Sequence, residues 1–487
     1  MISRMAYSTL HLSLMDQSAV RAYIRNLLIF PFPDMSQAED AVNTLREGFQ
    51  ATVAQLPYLA GTLGPVDPES GRLTLRYPKE VSDVQDSGLF SFDMILADRQ
   101  YTYERLKKEG MPPSAFPGTT YAPRSLRDHP GMESPIAEGV LSFKEFSAPV
   151  LGVHAFFIPG GLVLSMYLHH SVSDGTGMNT FYKHFAENVR LRRNMQMLSH
   201  QEMIDHSIPR FEVDERAPVL SPGQSILTVP LYIAGKWEYD QTLPENTKCT
   251  GRLFVVPAAR IRAYRDSLRS KVNTPTPLTV FNVLASLVWI HVTRARAPHW
   301  MDKTSLTTAG IAVDLRRRLS PKMAAEFMGN MALFTNAMMP KSQFVAEVRV
   351  SDKTIIPAVE CVNASISGVD NEWVNRHLAF FNAQENLSEI KLALRFKFAS
   401  DMFITSWMNF GAEHEWCIPG AATRSPEFIR KPHSVEDGGI IIMPRRRGVF
   451  DGIEAPYEVL VQLAGDDMER LLNEEGGLAT WAEHIVE

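Results

Sequence analysis

The residues with the clearest capacity for chemistry form a short segment, H-H-S-V-S-D-G, at positions 169–175. An imidazole titrates at a pKa of about 6.5, so His170 can accept a proton near neutral pH and act as a general base. Asp174 follows four residues later and has two possible roles: it orients the imidazole, or it anchors the segment by pairing with an arginine. Gly175 suits a tight turn that a side chain would obstruct.

A bare H-x-x-x-D pattern carries little information, because a chain with 14 histidines contains about one by chance. A second such pattern runs from His433 to Asp437, in a polar loop that no apolar strand precedes. We interpret this second pattern as coincidental. The first is distinguished by its doubled histidine, its D-G pair and the apolar strand that leads into it. The alternative for the first pattern is that His169 and His170 only fill the end of a strand.

The elements that position this segment are predicted from hydrophobic periodicity. Apolar runs at 150–158 and 162–168 predict two strands joined by a Pro-Gly-Gly turn, and a helix follows from Met178 to Val189. An earlier helix is predicted to begin at a capping box, Ser36 to Glu39, and to end before Pro57. The strand before the segment and the helix after it place His170 at a strand end, where a cleft can open.

The second half of the chain repeats this mixture of elements. Periodicity weakens between about 208 and 249, where prolines accumulate, which indicates a crossover between domains. The elements predicted beyond it are strands at 253–256, 391–398, 439–443 and 458–463 and helices at 259–268, at 278–294 and from Asp466. We therefore expect a two-lobed α/β sandwich: a lobe at 1–210, a linker at 211–249 and a lobe at 250–487. The cleft between the lobes is the expected place for chemistry.

Composition excludes several classes of protein. With 487 residues, 45% of them hydrophobic, and a net charge of −6, the chain is expected to be globular and not to bind nucleic acid. Its three cysteines are far apart and form no metal-binding spacing, so neither disulfides nor a metal site is predicted and a cytoplasmic setting fits best. No signal peptide is predicted, because the first 17 residues carry His11 and Asp16 and lack a long apolar run. No membrane span is predicted, because the most apolar window is broken by the Pro-Gly-Gly turn. A monomer is the default expectation.

The segment at 169–175 resembles the HHxxxDG motif of the acyl-CoA-dependent acyltransferases known as the BAHD family, which includes the fungal trichothecene acetyltransferases. Further stretches of the chain are similar to landmarks of that family, in the same order: L-S-L-M-D-Q at 12–17, P-Y-L-A-G-T-L at 57–63, the apolar helix ending in A-R at 295–296, V-D-L-R-R-R at 313–318 and G-N at 329–330. The resemblance implies two chloramphenicol-acetyltransferase-like sandwich lobes with the active site in a tunnel between them.

The resemblance also assigns roles to individual residues. His170 matches the catalytic base, whereas Asp174, with Gly175 beside it, matches a structural position at which the aspartate pairs with an arginine. Thr405, Ser406 and Trp407 match a T-S-W stretch that lines the active site in some relatives, with ordinary packing as the alternative. Coenzyme phosphates require basic groups, and the candidates for that role are Arg316, Arg318 and Arg445.

One family landmark, D-F-G-W-G, is degenerate in this chain. Residues 409–413 read N-F-G-A-E and resemble it by letters, whereas spacing places the equivalent position nearer 416–420, W-C-I-P-G. The acidic residue is missing in both registers. In relatives that aspartate anchors an arginine and shapes the coenzyme channel, so its absence puts the pairing of Arg316 or Arg318 and the affinity for coenzyme A in question.

The resemblance implies an acyl-CoA-dependent O-acyltransferase (EC 2.3.1 class) of fungal secondary metabolism. It moves an acetyl or other short acyl group from a coenzyme A thioester to a small hydroxylated acceptor through a ternary complex, without an acyl-enzyme. Two alternatives stay open: a condensation-type enzyme that takes its acyl group from a carrier protein, and a repurposed, non-catalytic member of the fold that binds a small molecule. The acceptor is not determined by the sequence.

Overall fold

The computed structural model describes residues 6–81, 83–94, 101–130, 132, 141–193, 207–218, 228–235, 247–299, 305–395, 399–434, 437–447, 449–450 and 453–487. Its strands are β1 (Tyr7–Leu10), β2 (Tyr23–Pro31), β3 (Thr62–Val66), β4 (Leu73–Pro78), β5 (Phe90–Asp93), β6 (Ala148–Pro149), β7 (Leu151–Ile158), β8 (Gly161–His169), β9 (Tyr232–Ile233), β10 (Cys249–Val256), β11 (Leu306–Asp314), β12 (Ala332–Pro340), β13 (Lys391–Leu392), β14 (Met402–Ser406), β15 (Phe428–Arg430), β16 (Gly439–Ile442), β17 (Val449–Phe450), β18 (Ile453–Glu454), β19 (Tyr457–Ala464) and β20 (His484–Val486).

The α-helices are α1 (Leu14–Ser18), α2 (Ala38–Gln55), α3 (Tyr103–Lys108), α4 (Gly118–Tyr121), α5 (Arg124–Arg127), α6 (Gly175–Arg193), α7 (Ser207–Glu215), α8 (Ala258–Leu268), α9 (Val280–Ala295), α10 (Lys341–Val345), α11 (Asp352–Ser367), α12 (Asn371–Asn382) and α13 (Gly465–Asn473). None of the helices in the described parts of the chain combines the length and the apolarity that a membrane span requires.

The sheet that carries the H-H-S-V-S-D-G segment has five strands in the order β15-β2-β8-β7-β5. Strands β7 and β8 form the predicted hairpin, in which Ile158 pairs with Gly161 across a turn that holds Gly160 in the left-handed region at φ +79°. Both strands are buried along their whole length, which explains their continuous apolar sequence. Helices α2 and α6 pack against each other beside this sheet, and their apolar residues share one core with it.

The second half of the chain forms a seven-stranded sheet in the order β12-β11-β14-β16-β19-β10-β20. Helix α9 packs against it through an almost fully buried apolar surface, and α8, α11 and α13 complete this second core. The two-lobed α/β fold predicted from the sequence is therefore confirmed. One strand crosses between the lobes: β15 comes from the second half of the chain but pairs with β2 of the first, with Ile429 opposite Leu28. The proposed boundaries at 210 and 249 stay a prediction.

Most predicted elements are found within one or two residues of their expected bounds, but two details are wrong. The capping box at Ser36 does not form, because the side chain of Asp34 binds both the backbone N–H and the hydroxyl of Ser36, and residues 35–37 make a 3₁₀ turn before α2. Helix α2 begins at Ala38 without a side-chain cap. The strand predicted at 391–398 is limited to Lys391–Leu392 among the described residues, and 396–398 lie outside them.

Candidate functional site

The segment at 169–175 is held in place by its backbone. Strand β8 ends at His169, whose N–H donates to the carbonyl of Val150, and the N–H of His170 donates to the carbonyl of Ala22. The chain then turns, with the N–H of Val172 bonded to the carbonyl of His169 at 3.0 Å, and enters α6 at Gly175. His170 therefore stands at the end of a fully buried strand.

The two histidines have different surroundings. His169 is 0% exposed and lies edge-on to the rings of Tyr23 and Phe143, at centroid distances of 4.9 and 5.2 Å. Burial, reinforced by the nearby His170 and Arg21, lowers the pKa of His169 to about 3. This ring is neutral and part of the core. The side chain of His170, by contrast, is only partly buried. Filling of the strand end thus describes His169 and leaves His170 available for chemistry.

The hydrogen bonds of Asn330 determine which nitrogen of His170 carries the proton. The side-chain Nδ2 of Asn330 lies 2.9 Å from Oδ1 of Asp16 and 2.7 Å from the carbonyl oxygen of His170. The carboxylate and the carbonyl can only accept, so the NH₂ end of the amide faces them. The amide oxygen of Asn330 then faces Nδ1 of His170 at 3.1 Å. Because that oxygen can only accept, Nδ1 carries the hydrogen and Nε2 is left with the lone pair that a base needs.

Asp174 is the inner partner of a buried ion pair. Its two carboxylate oxygens lie 2.9 and 3.0 Å from Nη2 and Nη1 of Arg316, and they also accept from the backbone N–H groups of Gly177 and Met331. Burial on its own would raise the pKa of Asp174, but the guanidinium and these hydrogen bonds hold the pKa below its ordinary value. The carboxylate therefore ties the motif loop to the second lobe, which is the arginine pairing that the resemblance implies.

The predicted coenzyme-binding role of Arg316 does not fit its position. The residue is 1% exposed, and besides Asp174 its guanidinium binds Asp314 and the carbonyls of Phe327 and Gly329. No donor is left for a phosphate. The same contacts answer the question raised by the degenerate second motif, because Arg316 is fully paired without an acidic residue from that motif.

The other two candidate cations lie apart from this pair. Arg318 is partly buried and donates to the carbonyl of Val369 at 2.8 Å. Arg445 pairs with Glu454 at 3.0 Å and lies over the ring of Tyr457, 4.1 Å from its centroid. Both guanidiniums thus have protein partners, and their role toward coenzyme A stays a prediction.

Thr405, Ser406 and Trp407 lie at the edge of the seven-stranded sheet that faces the motif. Strand β14 runs parallel to β11, with Ile404 opposite Ile311, so their carboxyl ends meet at the same edge of the sheet. That edge is joined to α6 by the hydroxyl of Thr176, which donates to Asp314 at 3.2 Å. The three side chains at 405–407 are partly exposed there, as is Phe403 within β14, whereas Met402 and Ile404 are buried.

Of the two segments that resemble the second motif, 409–413 contacts the beginning of α6. The ring of Phe410 lies so close to Gly175 that a β-carbon on this glycine would come within 2.4 Å of it. The N–H of Gly411 donates to Oδ1 of Asn179 at 2.8 Å. Trp416, at the start of the alternative segment, is a core residue that packs against Phe185.

The second H-x-x-x-D pattern is not assembled into a comparable site. Asp437 forms an ion pair with Arg296 in which both side chains are 0% exposed. The backbone N–H of His433 donates to the carbonyl of Phe116. The interpretation of this pattern as coincidental agrees with these separate surroundings.

Three residues that contribute to the site were not assigned a role from the sequence: Asp16, Asn330 and Arg210. Asp16 and Asn330 lie within stretches that match family landmarks, so the sequence marked these positions but did not indicate what they do. Arg210 lies in the stretch predicted as a crossover, where no local pattern marks it. All three are 2% exposed or less.

Comparison with known proteins identifies similar chains over the full length. Residues 137–475 match the family described as the Transferase family, and residues 22–188 match the trichothecene 3-O-acetyltransferase-like N-terminal domain. The chain is 24% identical to the trichothecene 8-O-acetyltransferase of Fusarium sporotrichioides, with 97% of each chain covered. It is 22% identical to the O-acetyltransferase ptmV of Penicillium ochrochloron, covering 100% of this chain and 98% of the relative.

Solved structures with the same fold are also found. The TRI101 protein of F. sporotrichioides, in complex with coenzyme A and T-2, superimposes with a TM-score of 0.76 at 18% identity, covering 98% of this chain and 100% of that one. Vinorine synthase gives a TM-score of 0.57 at 16% identity, covering 96% and 93%. At these identities the likeness concerns the fold.

Proposed function

The chain belongs to the Transferase family and is an acyl-CoA-dependent O-acyltransferase, and on that premise we propose that it transfers an acetyl group to a hydroxyl of a small specialised metabolite with His170 as the general base. The observation that carries this proposal is the Asn330–His170 hydrogen bond, which leaves the lone pair of Nε2 free. The names of the relatives support acetyl as the acyl group and an alcohol as the acceptor. The donor and acceptor meet in the cleft between the lobes.

The reaction proceeds in a ternary complex. Nε2 of His170 takes the proton from the acceptor hydroxyl as its oxygen attacks the thioester carbonyl. The tetrahedral intermediate collapses, the carbon–sulfur bond breaks, and the thiolate of coenzyme A receives the proton from the imidazolium. The ester product and the free thiol leave, and His170 returns to its neutral form. General base catalysis of this kind contributes about 10²- to 10⁴-fold, and the remainder comes from holding both substrates together.

The thioester oxygen becomes an oxyanion during this reaction and requires donors. The hydroxyls of Thr405 and Ser406 and the indole N–H of Trp407 are the side-chain donors that we propose for it, because they line the partly exposed edge of the sheet next to α6. A well-placed donor of this kind contributes about 2.7–4 kcal/mol.

The remaining parts of the proposal concern coenzyme A and the setting. With Arg316 fully paired, Arg318 and Arg445 remain as the proposed contacts for the coenzyme phosphates. We propose no metal in the mechanism, since the imidazole and the hydrogen-bond donors supply the required chemistry. A monomer in the cytoplasm remains our expectation.

A thiol-release assay tests the proposal. The purified protein is incubated with acetyl-CoA and a panel of hydroxylated metabolites, beside the variants His170→Ala and His433→Ala. We expect acceptor-dependent release of the thiol by the wild type, a loss of about 10²- to 10⁴-fold in His170→Ala, and no loss in His433→Ala. Binding of coenzyme A is measured separately by calorimetry. A folded wild type that neither binds coenzyme A nor releases thiol from any donor contradicts the proposal and favours a carrier-dependent or non-catalytic role.

A further inference from the structure

Arg210 is a buried cation in α7, a helix that overlaps the stretch predicted as a crossover between the lobes. It lies in α7, whose neighbours Ile208 and Phe211 are 60% and 50% exposed, whereas Arg210 itself is 0% exposed. A guanidinium that leaves water completely requires strong compensation. The buried guanidinium of Arg210 therefore requires compensating contacts.

The guanidinium of Arg210 joins two parts of the site. Nε donates to Oδ2 of Asp16 at 2.9 Å, and Nη2 donates to the carbonyl of Val172 at 2.8 Å, two residues after His170. The group lies between the rings of Tyr58 and Phe327, at 5.6 and 5.5 Å from their centroids, where cation–π attraction adds to the ion pair. One side chain thus fixes both the carboxylate and the turn that follows the base.

Both carboxylate oxygens of Asp16 accept hydrogen bonds from neighbouring groups. Oδ2 accepts from the N–H and the hydroxyl of Ser13 at 3.0 and 2.9 Å, in addition to Arg210. Oδ1 accepts from the backbone N–H and from Nδ2 of Asn330, both at 2.9 Å. Arg210 places its positive charge against this buried carboxylate, and both carboxylate oxygens accept hydrogen bonds.

The orientation of the Asn330 amide depends on this carboxylate and on the carbonyl of His170, which both accept from Nδ2. If the amide turned by 180°, its NH₂ group would face Nδ1 of His170, and Nδ1 would then have to accept. The proton of the neutral imidazole would move to Nε2, and the nitrogen that faces the acceptor hydroxyl would lose its lone pair. A wrong tautomer of this kind lowers the rate of a triad enzyme by about 10⁴-fold without changing its geometry.

We propose that Arg210 and Asp16 form a positioning pair that fixes the tautomer and the orientation of His170 through Asn330. This inference rests on the proposed function of His170 and adds to it the residues that keep the base in its reactive form. It assigns to helix α7 a role in acyl transfer.

The test compares Asp16→Asn, Arg210→Met and Arg210→Lys with a matched control, Arg296→Met. Arg296 and Asp437 form an ion pair that is equally buried, and Arg296 also donates to the carbonyls of Ala399 and Asp401. The control therefore removes one partner of a buried pair at a place that does not contact His170. Two readouts are used: kcat and KM for acetyl-CoA, and the tautomer of His170 in ¹⁵N-histidine-labelled protein, where long-range ¹H–¹⁵N correlations distinguish Nδ1–H from Nε2–H.

We expect Asp16→Asn to lower kcat by about 10- to 100-fold with KM nearly unchanged, and to mix the His170 tautomers. Arg210→Met lowers kcat in the same way, Arg210→Lys restores part of it, and Arg296→Met changes neither the tautomer nor kcat. The double variant Asp16→Asn/Arg210→Met is no slower than the slower single variant, because both changes act on one network.

A pure Nδ1–H tautomer in folded Asp16→Asn, or an equal loss of kcat in Arg296→Met, overturns the inference. If Asp16→Asn and Arg210→Met do not fold, Arg210→Gln, which keeps a hydrogen-bond donor at this place but removes the charge, gives the tautomer readout; an unchanged tautomer and kcat there overturn the inference as well. The tautomer is measured without turnover. A wild type that shows Nδ1–H but transfers no acyl group therefore contradicts the proposed function and not the positioning pair.

Discussion

The loop at 169–175 and the segment at 409–413 face each other at the beginning of α6, but they are held in different ways. The first is fixed by two buried Arg–carboxylate pairs, Arg210–Asp16 and Arg316–Asp174, whose partners are far apart in the chain. The second is held by the ring of Phe410 on Gly175 and by one hydrogen bond, from the N–H of Gly411 to Asn179. At its exposed end Arg447 binds Asn409.

This difference indicates which of the two regions must be held in a precise position. Buried ion pairs contribute little net stability, but they leave very few arrangements of the groups they join. The loop with the base is held in this way, whereas the described contacts of the segment at 409–413 are packing and hydrogen bonds without a buried ion pair, an arrangement that tolerates substitution. The first region is therefore expected to be sensitive to changes of charge and the second to changes of shape.

The largest loss of stability is expected when the charge of Asp174 is removed. Asp174→Asn leaves the buried guanidinium of Arg316 without its inner counter-charge, and we expect a loss of about 3–5 kcal/mol in the free energy of unfolding. Asp314→Asn is the matched control, because Asp314 is the other carboxylate that pairs with Arg316 and its side chain is 45% exposed. That change is expected to cost about 0–1 kcal/mol. Urea unfolding measures both, and equal losses would show that burial does not distinguish the two regions.

A change of shape at the contact between the two regions has the next largest effect. In Gly175→Ala the new methyl group meets the ring of Phe410, with 2.4 Å between the atoms if nothing moves. We expect a loss of about 1–3 kcal/mol in the free energy of unfolding. The double variant Gly175→Ala/Phe410→Leu recovers part of that loss, because the smaller side chain leaves room. A double variant that is as unstable as the sum of the single variants would mean that the clash is relieved elsewhere.

The buried histidine of the first region predicts a pH dependence of stability. The pKa of His169 is lowered to about 3 in the folded protein from an ordinary value of 6.5, so below pH 6.5 the unfolded chain binds a proton that the folded protein does not. Stability is fully present above pH 6.5 and is lost as the pH falls, by up to about 1.4 kcal/mol per pH unit from this group. His169→Gln is expected to reduce this slope in unfolding measurements between pH 7 and 5. An unchanged slope would contradict the neutral state of His169.

The smallest effect is expected from restoring an acid in the second region. Asn409→Asp places a carboxylate beside the exposed guanidinium of Arg447. An exposed pair changes the free energy of unfolding by no more than about 1 kcal/mol, and the binding of coenzyme A is expected to stay the same. Thermal unfolding and calorimetry with coenzyme A measure the two quantities. A large gain in coenzyme affinity would show that the absence of the acid weakens the binding of coenzyme A. It would contradict the difference drawn between the two regions.

The local parts of this structure could be predicted from the sequence and the long-range polar parts could not. The hairpin at 150–168 and the helix from Ala38 follow from apolar periodicity, which reports which face of an element is buried. The pairing of Arg210 with Asp16 joins residues 194 positions apart, and that of Asn330 with Asp16 joins residues 314 positions apart. No periodicity carries such information.

For the same reason, Arg316 was expected at a coenzyme and is found in the interior: a run of three arginines does not tell which of them points inward. The capping box at Ser36 failed on a similar ground, since a nearer carboxylate, Asp34, competes for the same donors. The candidate base, by contrast, was identifiable because a buried strand leads into its motif.

Strand β15 has a consequence for how ligands reach the base. Phe428–Arg430 continues the sheet of the first lobe through backbone hydrogen bonds to β2, and Arg430 in turn pairs with Glu458 of β19 in the second lobe at 2.9 Å. The two halves of the chain are thus linked by the ladder between β15 and β2 and by the Arg430–Glu458 ion pair. A movement of the two halves apart would have to break this ion pair, so we expect ligands to enter and leave mainly through movements of loops and side chains.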